Sequence, residues 1–316
     1  MPNPMDHLPI NRDTDPAAVR KRTATSHFAE RVRQNGVHQG VAGSSVSRRA
    51  LIAGAGATVA AVAGIEVFRR FTATPVDRSS MPQSVIRSYD WAVGLDSDFT
   101  TAKKLNPKVW QQGWFAAGNT AISGPINENE TAAYDPKNLT FAAEGLQFAV
   151  TDTPVGGRPH SGAGINTRNL VSLTPGCWAE ARLHLPGRGG VVYDWPGFWL
   201  NGYDTAEKEW PQYGEIDIVE GLGGEAAWHY HWGERAGVDQ ANLGGAVAGD
   251  HTGWHVFAAH WESDRIDIYF DGGRVGSVKK NVQSDPHYLI LGHSTSSPGR
   301  VGSELVCSSV RTWTHT

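Results

Sequence analysis

The run Glu215-Ile216-Asp217-Ile218-Val219-Glu220 places three carboxylates among apolar β-formers, where burial selects against charge unless chemistry requires it. On a strand, Glu215 and Asp217 share a face, whereas Glu220, five positions beyond Glu215, points the other way by simple alternation. A β-bulge at Ile218 and Val219 returns it to the face of the first two. Three acids then line one wall of a groove. Like charges held that close separate their proton affinities, leaving one carboxyl as an acid and another ionised as a nucleophile, the pairing that glycoside hydrolysis needs.

The neighbours favour this reading over a solvated, salt-bridged strand. Gly214 precedes the acids, Trp210-Pro211 lies four residues earlier, and Trp195-Pro196-Gly197-Phe198-Trp199 lies upstream. Sugar rings present apolar C–H faces that stack on indoles, so tryptophans beside carboxylates suit an oligosaccharide site. Trp195, Trp199 and Trp210 are the expected stacking residues, with core packing as the alternative for each. In His229-Tyr230-His231-Trp232, the two histidines share a face of a following strand.

Five segments in order carry a resemblance to the family 16 glycoside hydrolases, in the branch with a bulged E-x-D-x-x-E strand that includes laminarinases, agarases and carrageenases. They are residues 127–134 (NENETAAY), 177–186 (CWAEARLHLP), 195–200 (WPGFWL), 210–220 (WPQYGEIDIVE) and 254–272 (WHVFAAHWESDRIDIYFDG). The resemblance spans residues 96–313. It implies that Glu215 is the nucleophile, Glu220 the general acid/base, and Asp217 the residue that tunes the pair. It also implies that His231 lies on the substrate side, and that Asn127 and Glu130, in a segment like the family's Asn-rich loop, bind sugar hydroxyls at an outer subsite. Three departures concern specificity: Ser161-Gly162-Ala163-Gly164-Ile165 lacks an arginine that relatives often place there, Leu289 to His293 replaces a Gly-rich pattern, and His260 stands where an acid is common.

The elements that must position these residues read as strands. Arg265-Ile266-Asp267-Ile268-Tyr269-Phe270 alternates and runs into an Asp271-Gly272-Gly273 turn; residues 145–150, 179–185 and 304–313 behave alike. With 37 glycines, 12 tryptophans and only 19% charged residues, the composition suits an all-β, two-sheet antiparallel sandwich. The family resemblance makes that sandwich a curved, concanavalin A-like jelly roll.

Residues 1–80 read as a leader and 81–316 as the catalytic domain. Ser47-Arg48-Arg49 followed by an Ala/Gly/Val run is the pattern of a twin-arginine export signal over about residues 44–68. The apolar run is short, glycine-rich and interrupted by Glu66, so a processed signal is expected rather than a membrane span. Residues 1–80 carry 11 basic against 6 acidic side chains and the remainder 17 against 26, so the exported part is acidic. That balance argues against a nucleic-acid partner and against heavily anionic polymers.

Cys177 and Cys307 are either a disulfide or two buried thiols. No C-x-x-C or His-x-x-x-His spacing points to a catalytic metal, and the reaction inferred needs no cofactor. The expected activity is that of a secreted, monomeric, retaining endo-β-glycosidase on a polysaccharide, with a β-1,3- or mixed-linkage glucan foremost. A transglycosylase acting on a cell-surface polymer and a non-catalytic carbohydrate-binding protein on the same sandwich are the alternatives. Retention is expected because Glu215 and Glu220, about four strand steps apart, can lean inward to the ~5–5.5 Å carboxyl separation of a double displacement.

Overall fold

The computed structural model describes residues 79–113, 122–126, 129–241, 243–296 and 302–315. The leader and its twin-arginine segment lie outside these residues. Among the described residues, no helix is long and apolar enough to cross a membrane.

The architecture is an antiparallel β-sandwich. The first sheet runs, in spatial order, through Gly273–Val278, Ile266–Phe270, Gly253–Trp261, Cys177–Leu185, Glu304–Thr314, Gly145–Ala149 and Leu139–Ala142, with Ala92–Asp98 also paired to Glu304–Thr314. The second runs through Leu243–Ala246, Glu225–His231, Glu215–Leu222, Trp195–Asn201, Tyr288–Ser294, His160–Asn166 and Gln111–Gln112. The short strand Ala132–Tyr134 pairs in parallel with His160–Asn166. The expected strands are present with ends shifted by one or two residues.

Alternation explains how the sheets stack. Leu146, Phe148, Ala179, Ala181, Leu183, Phe257, Ala259 and Trp261 of the first sheet bury themselves against Ala163, Ile165, Phe198, Leu200, Ile216, Leu289 and Leu291 of the second. Every second residue of the second sheet therefore faces away from that core, and this outer face carries the acids. The turn into Glu225–His231 is Gly223–Gly224, at φ 65° and 94°, a left-handed pair that fits a two-residue hairpin without a side-chain clash. It fixes the register between the acidic strand and the strand with the two histidines.

The first sheet's outer face is covered by the chain entering the domain. Met81 is buried with Trp178, Ala258, Tyr269 and Trp313, and Val85, Ile86 and Trp91 pack onto them. Ser80, placed in the leader by the sequence boundary, donates from its backbone N and its Oγ to the buried Glu180 carboxylate at 2.8 and 2.7 Å, beside Trp178 Nε1 at 3.0 Å.

Of the two readings of the cysteines, the buried free thiols hold. Cys177 is level with Thr314 and Cys307 with Leu183, far apart along neighbouring strands. Burial raises both thiols well above their ordinary range, so neither is a ready nucleophile.

Candidate active site

The acidic strand carries a bulge where two apolar residues follow Asp217. On one side Asp217 pairs with His229 and Glu220 with Ala227, so Ile218 and Val219 together oppose Trp228; on the other, Trp199 pairs with Asp217 and Phe198 with Val219. Ile216, Ile218 and Val219 all enter the sandwich core, each about 1% exposed. Glu215, Asp217 and Glu220 are thereby left on the outer face. Opposite Trp195–Asn201, Glu215 is level with Asn201 and Glu220 with Gly197, four residues apart.

Each acid has a distinct environment. Trp195 Nε1 donates to Glu220 Oε1 at 2.7 Å, and His229 Nδ1 lies 2.9 Å from Glu220 Oε2. His231 bridges two carboxylates: Nε2 is 3.1 Å from Asp217 Oδ2 and Nδ1 is 2.7 Å from Asp239 Oδ2. Asp239 is held in turn by the backbone N–H of Trp232 at 3.1 Å. The two imidazoles stack with centroids 5.9 Å apart, and Trp210 covers His231 at the same distance.

These surroundings separate the proton affinities. Burial pushes Glu215 well above the usual carboxylate range, the charges of Asp217, Glu220 and Asp239 add to the effect, and His231 opposes it. Asp217 is also raised, mainly by burial, against the hydrogen bond and charge of His231. For Glu220, burial acts upward, but His229 and the Trp195 indole outweigh it and the net shift is downward. Burial lowers His231, yet Asp217 and Asp239 more than reverse this and raise it well above the ordinary histidine range. Of the two, Glu215 is thus the better proton holder and Glu220 the better anion.

The expected substrate contacts fare differently. Trp195 is half-buried and touches an acid directly. Trp199 and Trp210 also lie on the outer-face side but are largely covered, at 8% and 3% exposure, packed with Tyr213, Tyr288 and Ile290. They form the packed wall behind the acids more than an open platform. Glu130, expected at an outer subsite, is 2% exposed, and its oxygens accept from Ile126 N at 2.9 Å and Ser294 Oγ at 2.6 Å. These bonds tie the carboxylate to its own loop and to strand Tyr288–Ser294. Asn127 lies outside the described residues.

Two members of the site were not assigned a role from sequence. His229 was visible only as a face-mate of His231, and Asp239 sits in a loop with no periodicity to mark it. A histidine directly across the strand pair from Asp217 was the available signal for the first; for the second there was none.

Comparison with known proteins agrees with this geometry. A family model, Glycosyl hydrolases family 16, matches residues 125–302, more than half of the chain, and the chain belongs to that family. It is 28% identical over 187 residues to Glucan endo-1,3-beta-glucosidase A1 of Niallia circulans, covering 55% of this chain and 26% of that protein. It is 24% identical over 232 residues to Endo-1,3-1,4-beta-glycanase EglC of Rhizobium meliloti, covering 68% and 46% respectively. The chain thus spans between a quarter and a half of these relatives. The fold matches the laminarinase from Rhodothermus marinus with a TM-score of 0.61 at 20% identity, over 72% of this chain and 99% of that one. It also matches the endo-beta-1,3-glucanase from Pyrococcus furiosus, with a TM-score of 0.59 at 21% identity over 72% and 96%.

Proposed function

We propose that the protein hydrolyses a β-glucan internally, with β-1,3- or mixed β-1,3-1,4-linked chains as substrate, by a two-step displacement with retention of configuration. The observation that carries this reading is the set Glu215, Asp217 and Glu220 on one face of a family 16 sandwich, with Trp195 and His229 at Glu220. The names of the two curated relatives support the linkage.

In the first step a Glu215 oxygen attacks the anomeric carbon while Glu220 gives its proton to the departing glycosidic oxygen; the C–O bond breaks and a glycosyl ester forms. In the second, Glu220 takes a proton from water, the water oxygen attacks the same carbon, and Glu215 leaves as carboxylate. Both steps invert, so the product keeps the β configuration. Asp217, hydrogen-bonded to His231, holds the charge balance next to the nucleophile. Substrate binding must move a proton toward Glu220. A sugar on this face brings the leaving oxygen to Glu220 and excludes water, and both changes favour its neutral form.

The charge order of the sugar-free site favours a second assignment, with Glu220 attacking and Glu215 protonating. Azide rescue with an activated aryl β-glucoside separates the two. With Glu215 as nucleophile, Glu220→Ala forms the glycosyl ester and azide gives the β-glycosyl azide, whereas Glu215→Ala allows only direct attack and gives the α-azide. The reverse pairing of products exchanges the roles. Without azide, Glu220→Ala is expected to lose about 10²–10⁴-fold in turnover on unactivated glucan, the usual weight of a general acid.

The leader supports export through the twin-arginine route, because Arg48-Arg49 precede a run of low hydrophobicity. Replacing both by lysine is expected to retain the protein in the cytoplasm. Secretion at the normal level by that variant refutes the assignment.

A further inference from the structure

On the sandwich surface opposite the acids, at one end of the first sheet, His260, Glu262 and His315 converge with their ligand atoms all within 4.8 Å of one another. His260 ends the outer-face row of Gly253–Trp261, Glu262 is the first residue after that strand, and His315 is the first residue after Glu304–Thr314. Strand Cys177–Leu185 lies between the two, so the cluster closes across its entry. Here backbone bonds fix the geometry: Gly176 N donates to Trp261 O at 2.7 Å, His315 N to Gly176 O at 2.9 Å, and Glu262 N to Arg265 O at 2.8 Å. Gly176, at φ 88°, also lets the chain approach His315 closely, since a Cβ there would sit 3.1 Å from the His315 carbonyl.

The contacts are not those of a purely hydrogen-bonded cluster. His315 Nε2 is 2.9 Å from Glu262 Oε1 and hydrogen-bonded to it. His260 Nε2 is only 2.8 Å from the same oxygen, an ion-pair contact that is poorly aligned for a hydrogen bond, although the residue is 1% exposed. A buried ring nitrogen left this way is costly. Close approach without alignment is what two ligands of one ion show, since each faces the ion and not its neighbour. Tyr89 stacks on His315 at 3.7 Å and 13° and shields the site from solvent. The nearest opposing charge, Arg265 Nη2 at 3.7 Å from Glu262 Oε1, is itself engaged by Asp267 at 3.3 Å from Nε.

We propose that His260 Nε2, Glu262 Oε1 and His315 Nε2 form a zinc site that clips the C-terminal end of the chain to the first sheet. Two imidazoles and one carboxylate suit zinc, with water as fourth ligand, and are poor ligands for the hard cations calcium and magnesium. On binding, the proton shared by His315 Nε2 and Glu262 is released to solvent, and His315 keeps its other ring N–H. The ion then replaces the His315–Glu262 hydrogen bond by three coordinate bonds.

Calorimetry on the full chain, stripped with a chelator and titrated with zinc chloride, tests this, with cobalt(II) absorption as the spectroscopic check. One equivalent is expected to bind, with a tetrahedral cobalt spectrum and a thermal midpoint that rises with free zinc. His315→Ala, a change at the chain end, and Glu262→Gln are each expected to weaken binding at least about tenfold and to remove the zinc-dependent rise in midpoint. Glucan hydrolysis by the wild type should be unchanged by saturating the site. Absence of binding to the wild type overturns the proposal. Equal binding by His315→Ala and Glu262→Gln also overturns it, and then places the ion elsewhere, for example at the acids and histidines of the other face.

Discussion

Glu220 is the residue whose behaviour depends most on a single neighbour. Burial raises its proton affinity, and His229 with the Trp195 indole brings it below the ordinary value. In the proposed roles Glu220 is protonated and Glu215 ionised in the reacting form, and with Glu220 the lower of the two the alkaline limb of kcat/KM follows Glu215 and the acid limb follows the pKa of Glu220. Removing His229 removes a lowering influence, which moves that pKa upward. His229→Ala is therefore expected to shift the acid limb of the kcat/KM profile to higher pH, with the alkaline limb, set by Glu215, shifted less. An unchanged or downward-shifted acid limb would separate His229 from Glu220. At this scale the sequence revealed the carboxylates because charge among isoleucine and valine is anomalous, but not their partners. Asp239 reaches His231 from a loop, and a loop position eight residues away has no spacing that betrays it. The burial of Glu130 beside Ser294 was not legible either, because the contact joins residues far apart in sequence.

The bulge decides which side chains of the acidic strand meet the core. Strict alternation from Ile216 buries Ile218 and exposes Val219, and Val219 would then tolerate truncation. In the bulged strand both are about 1% exposed and face the opposite sheet. Ile218→Ala and Val219→Ala are each expected to cost on the order of 2 kcal/mol or more, in the range for removing buried branched side chains. Chemical denaturation measures this directly, and a cost for Val219→Ala below about 0.5 kcal/mol, typical of surface sites, would place it outside the core. The bulge was legible because Glu220 had to return to the face of Glu215 for the acids to work together. The burial of Trp199 and Trp210 was not, since an aromatic next to a site reads alike whether it is a platform or a wall. Only their packing with Tyr213, Tyr288 and Ile290 distinguishes the two.

For the whole molecule, the chain entering the domain is part of the sandwich. Sequence drew the boundary at residue 80 from composition, since a basic, Ala/Gly-rich leader gives way there to strand patterns. The contacts of the following segment are long-range and leave no periodic signal. Met81, Val85, Ile86 and Trp91 cover Trp178, Tyr269 and Trp313, while Ser80 supplies two of the three hydrogen bonds to the buried Glu180 carboxylate. Losing this cover exposes aromatic surface on the order of 200 Å² and removes donors from a buried charge. At ~25 cal/mol per Å² the apolar part alone comes to roughly 5 kcal/mol as an upper estimate, a large share of a typical domain's stability. A chain beginning at Ser79 is therefore expected to unfold at the midpoint of one carrying the whole leader. A chain beginning at Ala92 is expected to unfold well below it and to bind a hydrophobic dye in its native baseline, because the outer face of the first sheet is left open. Thermal unfolding of the three lengths side by side checks both statements. Equal midpoints for all three would mean that the segment only rests on the sheet, and that the first sheet's buried tryptophans are held by their own strands.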